Sequence, residues 1–408
     1  MSEQTKKVDL RNERVVQQSA LTKLARKWAL QLGIVAVMVV VWLVFYIASP
    51  EVFSAPEIYK AFMQTTPFFA IIAIPATLVV IAKEIDLSFP SVMAWGMAIL
   101  VLVQQVTGSY TIGIIFMFLG GLYAGLLNGL LVVNAAAGLI AIVLGLGAYI
   151  AIFVVTQNFL YALIGLLAAG AIALFLGSRV NLGIGVPSLV VTIGTSFLWR
   201  GVVLVVLDGK GAGMVDMKEL PIYQFLVGRW PLVPLPAADA DPTKIPLWQG
   251  IFSDVPAQVI WMVIAAVIIW IILNRTRFGA HTYLIGDNID SARLLGVNVD
   301  ATKIAVFCIV SVAAVFAGLL ASLEVVYFWP SLGDGYLLNT LASVFLGGTS
   351  VFGGTGTVFG TFIAAFIIGS INAGIVASGL TGFYTQLIYG LIIVVSVAFQ
   401  TIVSHKLR

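Results

Sequence analysis

Long apolar blocks alternate with short polar interruptions along the chain. They run approximately over 28–47, 62–82, 91–107, 112–134, 138–157, 159–178, 186–207, 257–274, 303–323, 336–352, 356–377 and 383–403. Most approach the ~20 apolar residues that a helix needs to cross a bilayer. Leu87 to Ser178 is an unbroken stretch of 92 residues without Asp, Glu, Lys or Arg, room for about four spans. The pattern predicts an all-α, polytopic membrane bundle of about 10–12 transmembrane helices. The blocks at 336–352 and the pair within 138–178 are the ones expected to include re-entrant or broken segments.

Composition agrees. The chain is 61% hydrophobic and 10% charged, with a mean hydropathy of +1.08, against about 45–50% apolar and about 25% charged for soluble domains. A water-soluble enzyme is excluded. One cysteine, Cys308, excludes an internal disulfide, and two histidines, His281 and His405, leave little for a histidine-based metal site. No cofactor is expected. The net charge of +3 reports orientation rather than nucleic-acid binding, because of where the positive residues lie. Residues 1–27 carry Lys6, Lys7, Arg11, Arg14, Lys23, Arg26 and Lys27 against three acids, which predicts a cytoplasmic N-terminal tail. The first block is long enough for a retained anchor rather than a signal peptide. If that tail is inside, alternate connections and both tails hold 15 of the 21 Lys and Arg, with Lys303 counted at a helix edge. An even count of spans places 404–408, with Lys406 and Arg408, in the cytoplasm as well.

Domain organisation follows: a tail at 1–27, one transmembrane domain over 28–403, and a short tail at 404–408. Two connections are too large for simple turns. One, 208–256, falls outside by this topology and holds seven of the 14 prolines. The other, 275–302, is cytoplasmic.

Small residues at every fourth position allow helices to approach closely in lipid. Gly121, Gly125 and Gly129 form one such stripe, and Gly356, Gly360 and Ala364 another. A faint repeat aligns Ile72–Ile99 with Leu341–Ile368, each an apolar span, a polar break and a second small-residue helix. Interrupted segments in matching positions of two halves are where transport pathways tend to lie.

The candidate chemistry is polar rather than catalytic. Lys83, Glu84, Asp86 and Ser88 interrupt the apolar pattern before Pro90. They read either as helix caps, with Asp86 or Ser88 as N-cap, or as pathway residues, and the two roles are compatible. Arg200 lies within a span and reads as an arginine satisfied by the carbonyls of a neighbouring helix break. Phe345–Gly360 (FLGGTSVFGGTGTVFG) lacks the Lys-Ser/Thr ending of a phosphate-binding loop. Its glycines suit a broken helix whose hydroxyls, on Thr349, Ser350, Thr355 and Thr357, face a cavity fit for a polyhydroxylated solute, or else plain close packing. Tyr283–Lys303 reads YLIGDNIDSARLLGVNVDATK. Between Gly286 and Gly296 it predicts about two helical turns, capped by Asp290, with Leu294 and Leu295 exposed for a partner's groove.

These features resemble the permease subunit of bacterial ATP-binding-cassette sugar importers, the branch with ribose, xylose and arabinose permeases. Three motifs carry the resemblance. Ala82–Ser88 (AKEIDLS) is similar to the family's G/E-I-D-L-S element. Gly286–Val299 (GDNIDSARLLGVNV) is similar to its coupling-helix loop, and Leu338–Gly360 to its A-A-V-x-L-G-G-T-S-x-x-G-G-x-G element. Gly125–Val132 and Pro187–Gly201 are weaker matches. The resemblance implies a multi-pass protein of the bacterial inner membrane that moves a monosaccharide or related polyol and carries no catalytic residue or metal. Its partners would be a cytoplasmic ATPase subunit, a periplasmic sugar-binding protein and a second permease, as homodimer or heterodimer. Gly286, Asn288, Ala292, Arg293, Leu294, Leu295 and Gly296 are implied to seat the ATPase. Glu84, Asp86, Ser88, Asn128, Thr349, Ser350, Gly353 and Gly354 are the candidate pathway residues. Three departures from the family pattern are the extra segments at 138–178, the long 208–256 connection, and Ser291 in place of the first Ala of the usual A-A-R. The rival class, an ion-coupled secondary transporter or channel, would rely on the few carboxylates near the spans: Glu84, Asp86, Glu324 and Asp334.

Overall fold

In the computed structural model, residues 20–177, 184–236, 245–377 and 381–407 are described. Most of the basic tail, Arg179 and Lys244 lie outside the described residues.

The apolar blocks fold as α1 (Ala20–Ala48), α2 (Pro56–Ile81), α3 (Phe89–Thr107), α4 (Tyr110–Val133), α5 (Ala135–Thr156), α6 (Phe159–Gly177) and α7 (Ser188–Val206). After the first large connection come α8 (Ala257–Arg275), α9 (Arg277–Asp287), α10 (Ile289–Leu294), α11 (Val299–Val325), α12 (Leu337–Leu346), α13 (Val358–Ala377) and α14 (Phe383–Leu407). Among the described residues nine helices are long and apolar enough to cross a membrane. α6 and α14 are apolar over shorter described stretches. α5 and α6 are continuous helices, so the 138–178 region adds an unbroken pair. Val143, Ile150 and Val155 of α5 are exposed.

The block at 336–352 is corrected: it is not a span but a helix of 10 residues, α12, about 15 Å long. Pro330, Gly333 and Gly335 keep the preceding stretch out of helix, so backbone rather than helix makes the first half of that crossing. Ser49 Oγ donates to Ala377 O at 3.3 Å, which puts the end of α1 beside the end of α13. Ala20 and Leu407 therefore lie at the same end of the bundle, the end that carries α9 and α10.

Helix starts follow capping chemistry. Pro56 and Pro90 sit in first turns, where a missing N–H costs nothing. Asn298 Oδ1 accepts from Ala301 N at 3.0 Å to start α11. α10 is capped by Asn288, whose Oδ1 accepts from Ser291 N at 2.9 Å. Asp290, the expected cap, falls inside the first turn instead. Ser88 occupies the cap position of α3 without a capping bond, because its hydroxyl is engaged with Asp86 and Asn128.

The described parts of the 208–256 connection are folded. β1 (Ala212–Gly213) pairs antiparallel with β4 (Tyr327–Phe328), and β2 (Arg229–Trp230) with β3 (Val255–Pro256). The first ribbon ties this connection to the chain leaving α11, and Met214 and Met217 are fully buried beneath it.

The Gly121, Gly125 and Gly129 stripe packs α4 against α11 within the chain. A Cβ on Gly125 would lie 2.6 Å from Cys308 Cα, and one on Gly129 2.6 Å from Ile304 Cα. In the second stripe Gly360 abuts Gly347, where a Cβ would lie 2.0 Å from the carbonyl oxygen, but Gly356 precedes α13 and belongs to a turn. Gly125→Val is expected to lower the melting temperature in detergent by several degrees, because backbone cannot yield. Gly147→Val, with nothing within 4 Å of its Cβ, should leave it within error.

Candidate functional site

At the end of the bundle that carries α9 and α10, three segments meet through their backbones: the C-terminus of α2, the glycine-rich turn between α12 and α13, and α9. Gly354 N donates to Ile81 O at 2.9 Å. A Cβ on Gly286 would lie 1.7 Å from Ile81 O and 2.4 Å from Gly354 N. Only glycine fits there. Gly353 and Gly354 have φ of 78° and 74°, and Lys83, with φ of 65°, takes the left-handed conformation as α2 ends. Tyr283 OH donates to Gly356 O at 2.8 Å, fastening α9 to the turn a second time. Burial pushes the Tyr283 phenol up, so it stays protonated and able to donate.

From this seat α9 runs into α10. Ile285, Ala292, Val297 and Val299 form a small apolar core beneath it, and Gly296, with φ of 78°, turns the chain back towards α11. The seven residues expected here divide cleanly. Gly286, Asn288, Ala292 and Gly296 build the hairpin, whereas Arg293, Leu294 and Leu295 face outward. Leu294 is 89% exposed and Leu295 69%. Burying such side chains is worth about 1.5–3 kcal/mol each, so the knob suits an apolar partner surface.

Glu84 and Lys303 form an ion pair beside the seat, their side chains 9% and 14% exposed. Lys303, a helix-edge charge by sequence, proves to be the counter-ion of a candidate pathway residue.

The eight candidate pathway residues fall in two neighbourhoods, with Glu84 at the seat. Asp86, Ser88 and Asn128 form a buried network. Asp86 Oδ1 accepts from Ser88 N at 2.8 Å and Ser88 Oγ at 2.7 Å, and Asn128 Nδ2 donates to Ser88 Oγ at 2.7 Å. The backbone of this break is satisfied by α7: Ile85 N donates to Ser188 Oγ at 3.0 Å, and Ile85 O accepts from Thr192 Oγ1 at 3.2 Å. Thr349, Ser350, Gly353 and Gly354 form the turn. There Ser350 N donates to Thr355 O and Gly353 N to Ser350 O, both at 3.0 Å. The two breaks of the faint repeat thus touch each other, and Thr77 of α2 bonds Thr361 of α13 at 2.7 Å between them. Sequence reading missed Ser188, Thr192 and Tyr283. The hydroxyls near Pro187 were the only signal for the first two.

Arg200 matches its structural expectation. It donates to Leu332 O at 3.1 Å, to Pro330 O, and to the Asp334 carboxylate. At the opposite end of the bundle Glu324 accepts from Gln64 and Gln258.

Breaking a buried ion pair by removing one partner costs about 3–5 kcal/mol, whereas removing both charges is far cheaper. Glu84→Gln or Lys303→Met alone should each destabilise the protein in detergent denaturation by an amount of that order. The double variant should recover most of the loss. Additive losses would show that the pair is not coupled.

Compared with known proteins, residues 140–397 match the family described as branched-chain amino acid transport system / permease component. A ribose import permease of Bacillus subtilis is 36% identical over 149 residues, covering 36% of this chain and 46% of the relative. An autoinducer 2 import system permease of Photorhabdus luminescens is 28% identical over 270 residues, covering 66% of this chain and 72% of the relative. A ribose import permease of Escherichia coli K12 is 29% identical over 369 residues, covering 90% and 92%. The chain thus spans less than half of the Bacillus relative and nearly all of the Escherichia one. No solved structure matches it.

Proposed function

The chain belongs to the family of branched-chain amino acid transport system permease components, and on that premise we propose that it is the multi-pass, solute-translocating subunit of an ATP-driven importer in a bacterial inner membrane. The solute is a monosaccharide or a small polyhydroxylated relative, in keeping with the ribose and autoinducer 2 relatives. The chain itself catalyses nothing: ATP is hydrolysed by a cytoplasmic ATPase, and solute arrives from a periplasmic binding protein. A second permease copy completes the membrane part. The tails and the 275–302 connection face the cytoplasm, and the 208–256 connection faces the binding protein.

One observation carries this reading: Arg293, Leu294 and Leu295 project from a hairpin whose other side is locked, through Gly286, to both helix breaks. A partner that moves this knob moves the end of α2 and the glycine turn with it, since backbone contacts have no side-chain slack to absorb the motion. That is what an ATPase needs in order to work on a membrane it does not enter.

The rival reading, coupling to an ion gradient, requires a carboxylate free to take and release a cation. Glu84 is paired with Lys303 and Glu324 is held by Gln64 and Gln258, whereas Asp86 and Asp334 are each held through Oδ1, by Ser88 and by Arg200.

Leu294→Asp and Arg293→Glu should reduce co-purification with the ATPase at least tenfold while leaving insertion and melting unchanged, since both side chains are exposed. Undiminished co-purification would refute the docking role. In proteoliposomes, ribose uptake should require the ATPase, the binding protein and ATP. Uptake by this chain alone, driven by an ion gradient, would overturn the importer reading.

A further inference from the structure

The chain leaves the outer ribbon at Phe328 and does not become helical until Asp334. Between them Trp329–Gly333 descend into the bundle. A Cβ on Gly333 would lie 2.5 Å from Pro90 O, at the start of α3. α12 then takes up the descent, and its ten residues, about 15 Å of helix, separate Tyr336 from the glycine turn at the far end. Arg200, in turn, stands six residues, about 9 Å of helix rise, before the end of α7. Arg200 and Asp334 therefore meet about 9 Å short of the end of α7, within the length of an apolar span.

At that depth the Arg200 side chain is only 16% exposed, but the Asp334 side chain is 62% exposed. Only Oδ1 of the carboxylate is engaged by Arg200, and among the described residues Oδ2 has no donor. Ser331 and Gly335 beside it are exposed as well. A carboxylate and irregular backbone do not face lipid within the span of a membrane helix; they are tolerated where they line water. Clamping the break needs the guanidinium and a counter-charge. It does not need that counter-charge to stand open.

Given the importer reading above, we infer that the Arg200–Asp334 pair on the broken backbone 329–336 is a solute-contacting site of the translocation pathway, taking a neutral polyhydroxylated solute. Asp334 accepts from solute hydroxyls. Of the five N–H groups of Arg200, three are spent on Pro330 O, Leu332 O and Asp334, and the remaining two can donate to a solute oxygen. A charged pair of net zero suits a neutral solute, because neither a cation nor an anion is favoured.

The single cysteine makes the test clean. In a Cys308→Ala background, Asp334→Cys in the assembled importer should react with a membrane-impermeant, charged methanethiosulfonate. Val143→Cys, a control at a position 67% exposed on the apolar span α5, should react at least tenfold more slowly. In proteoliposomes with ATPase and binding protein, Asp334→Asn should lower ribose uptake at least tenfold with melting and co-purification unchanged, and Asp334→Glu should restore part of it. An Asp334→Cys variant as unreactive as Val143→Cys, or wild-type uptake by Asp334→Asn, would overturn the site. Failure of the sugar reading would look different: no ribose uptake by the wild type, with the Asp334→Cys thiol still reactive.

Discussion

A peptide N–H or C=O in hydrocarbon has no water to turn to, so any backbone that leaves the helix inside a membrane must find its partners within the protein. This chain leaves the helix at three packed breaks, 82–88, 329–336 and 347–357, the first and third at the end of the bundle that carries α9 and α10, and much else in the structure serves those breaks. Ser188 and Thr192 of α7 satisfy the backbone of the first, and Asn128 braces its Asp86–Ser88 turn. Arg200 of the same helix gathers the carbonyls of the second. The third folds on itself and on Ile81 O. α7 therefore works as a polar spine between two breaks, although Leu189, Val190, Ile193, Phe197, Leu204 and Val205 on the same helix are exposed.

The same constraint gives the fold its means of transmission. Glycine is required at 286 because a carbonyl and an amide of two other segments occupy the space of its Cβ. A contact of this kind is stiff. Force applied to α10 reaches the α2 terminus and the glycine turn directly, and the Glu84–Lys303 pair adds an electrostatic tie to the start of α11. On the opposite side of the bundle the ribbon between β1 and β4 holds the 208–256 connection to the second break. Both ends of the bundle are thus mechanically tied to irregular backbone, the part of a helical bundle that can change conformation without unpacking whole helices.

Much of this was legible in the sequence where the determinants are local. The apolar blocks lie within a few residues of the helices, the glycine stripe on α4 marks a close crossing, and Leu294 and Leu295 stand exposed between turns. One error is local, a nearby asparagine outcompeting Asp290 for the cap, and another is not: Ser88 is drawn away from capping by Asn128, forty residues distant. What could not be read is long-range pairing. Asp334 lies 134 residues from Arg200, and nothing in either neighbourhood announces the other. The block at 336–352 misled for a related reason, since apolar content alone does not distinguish a full span from a half-helix that finishes a crossing begun by backbone.

The central claim is that the α10 knob is coupled through backbone to both breaks of the repeat. Amide hydrogen exchange of the permease, with and without the ATPase bound, tests it most directly. The account predicts that docking alters exchange at 288–296 and also at 82–88 and 347–357, beyond any contact with the partner. A change confined to 288–296 would contradict it.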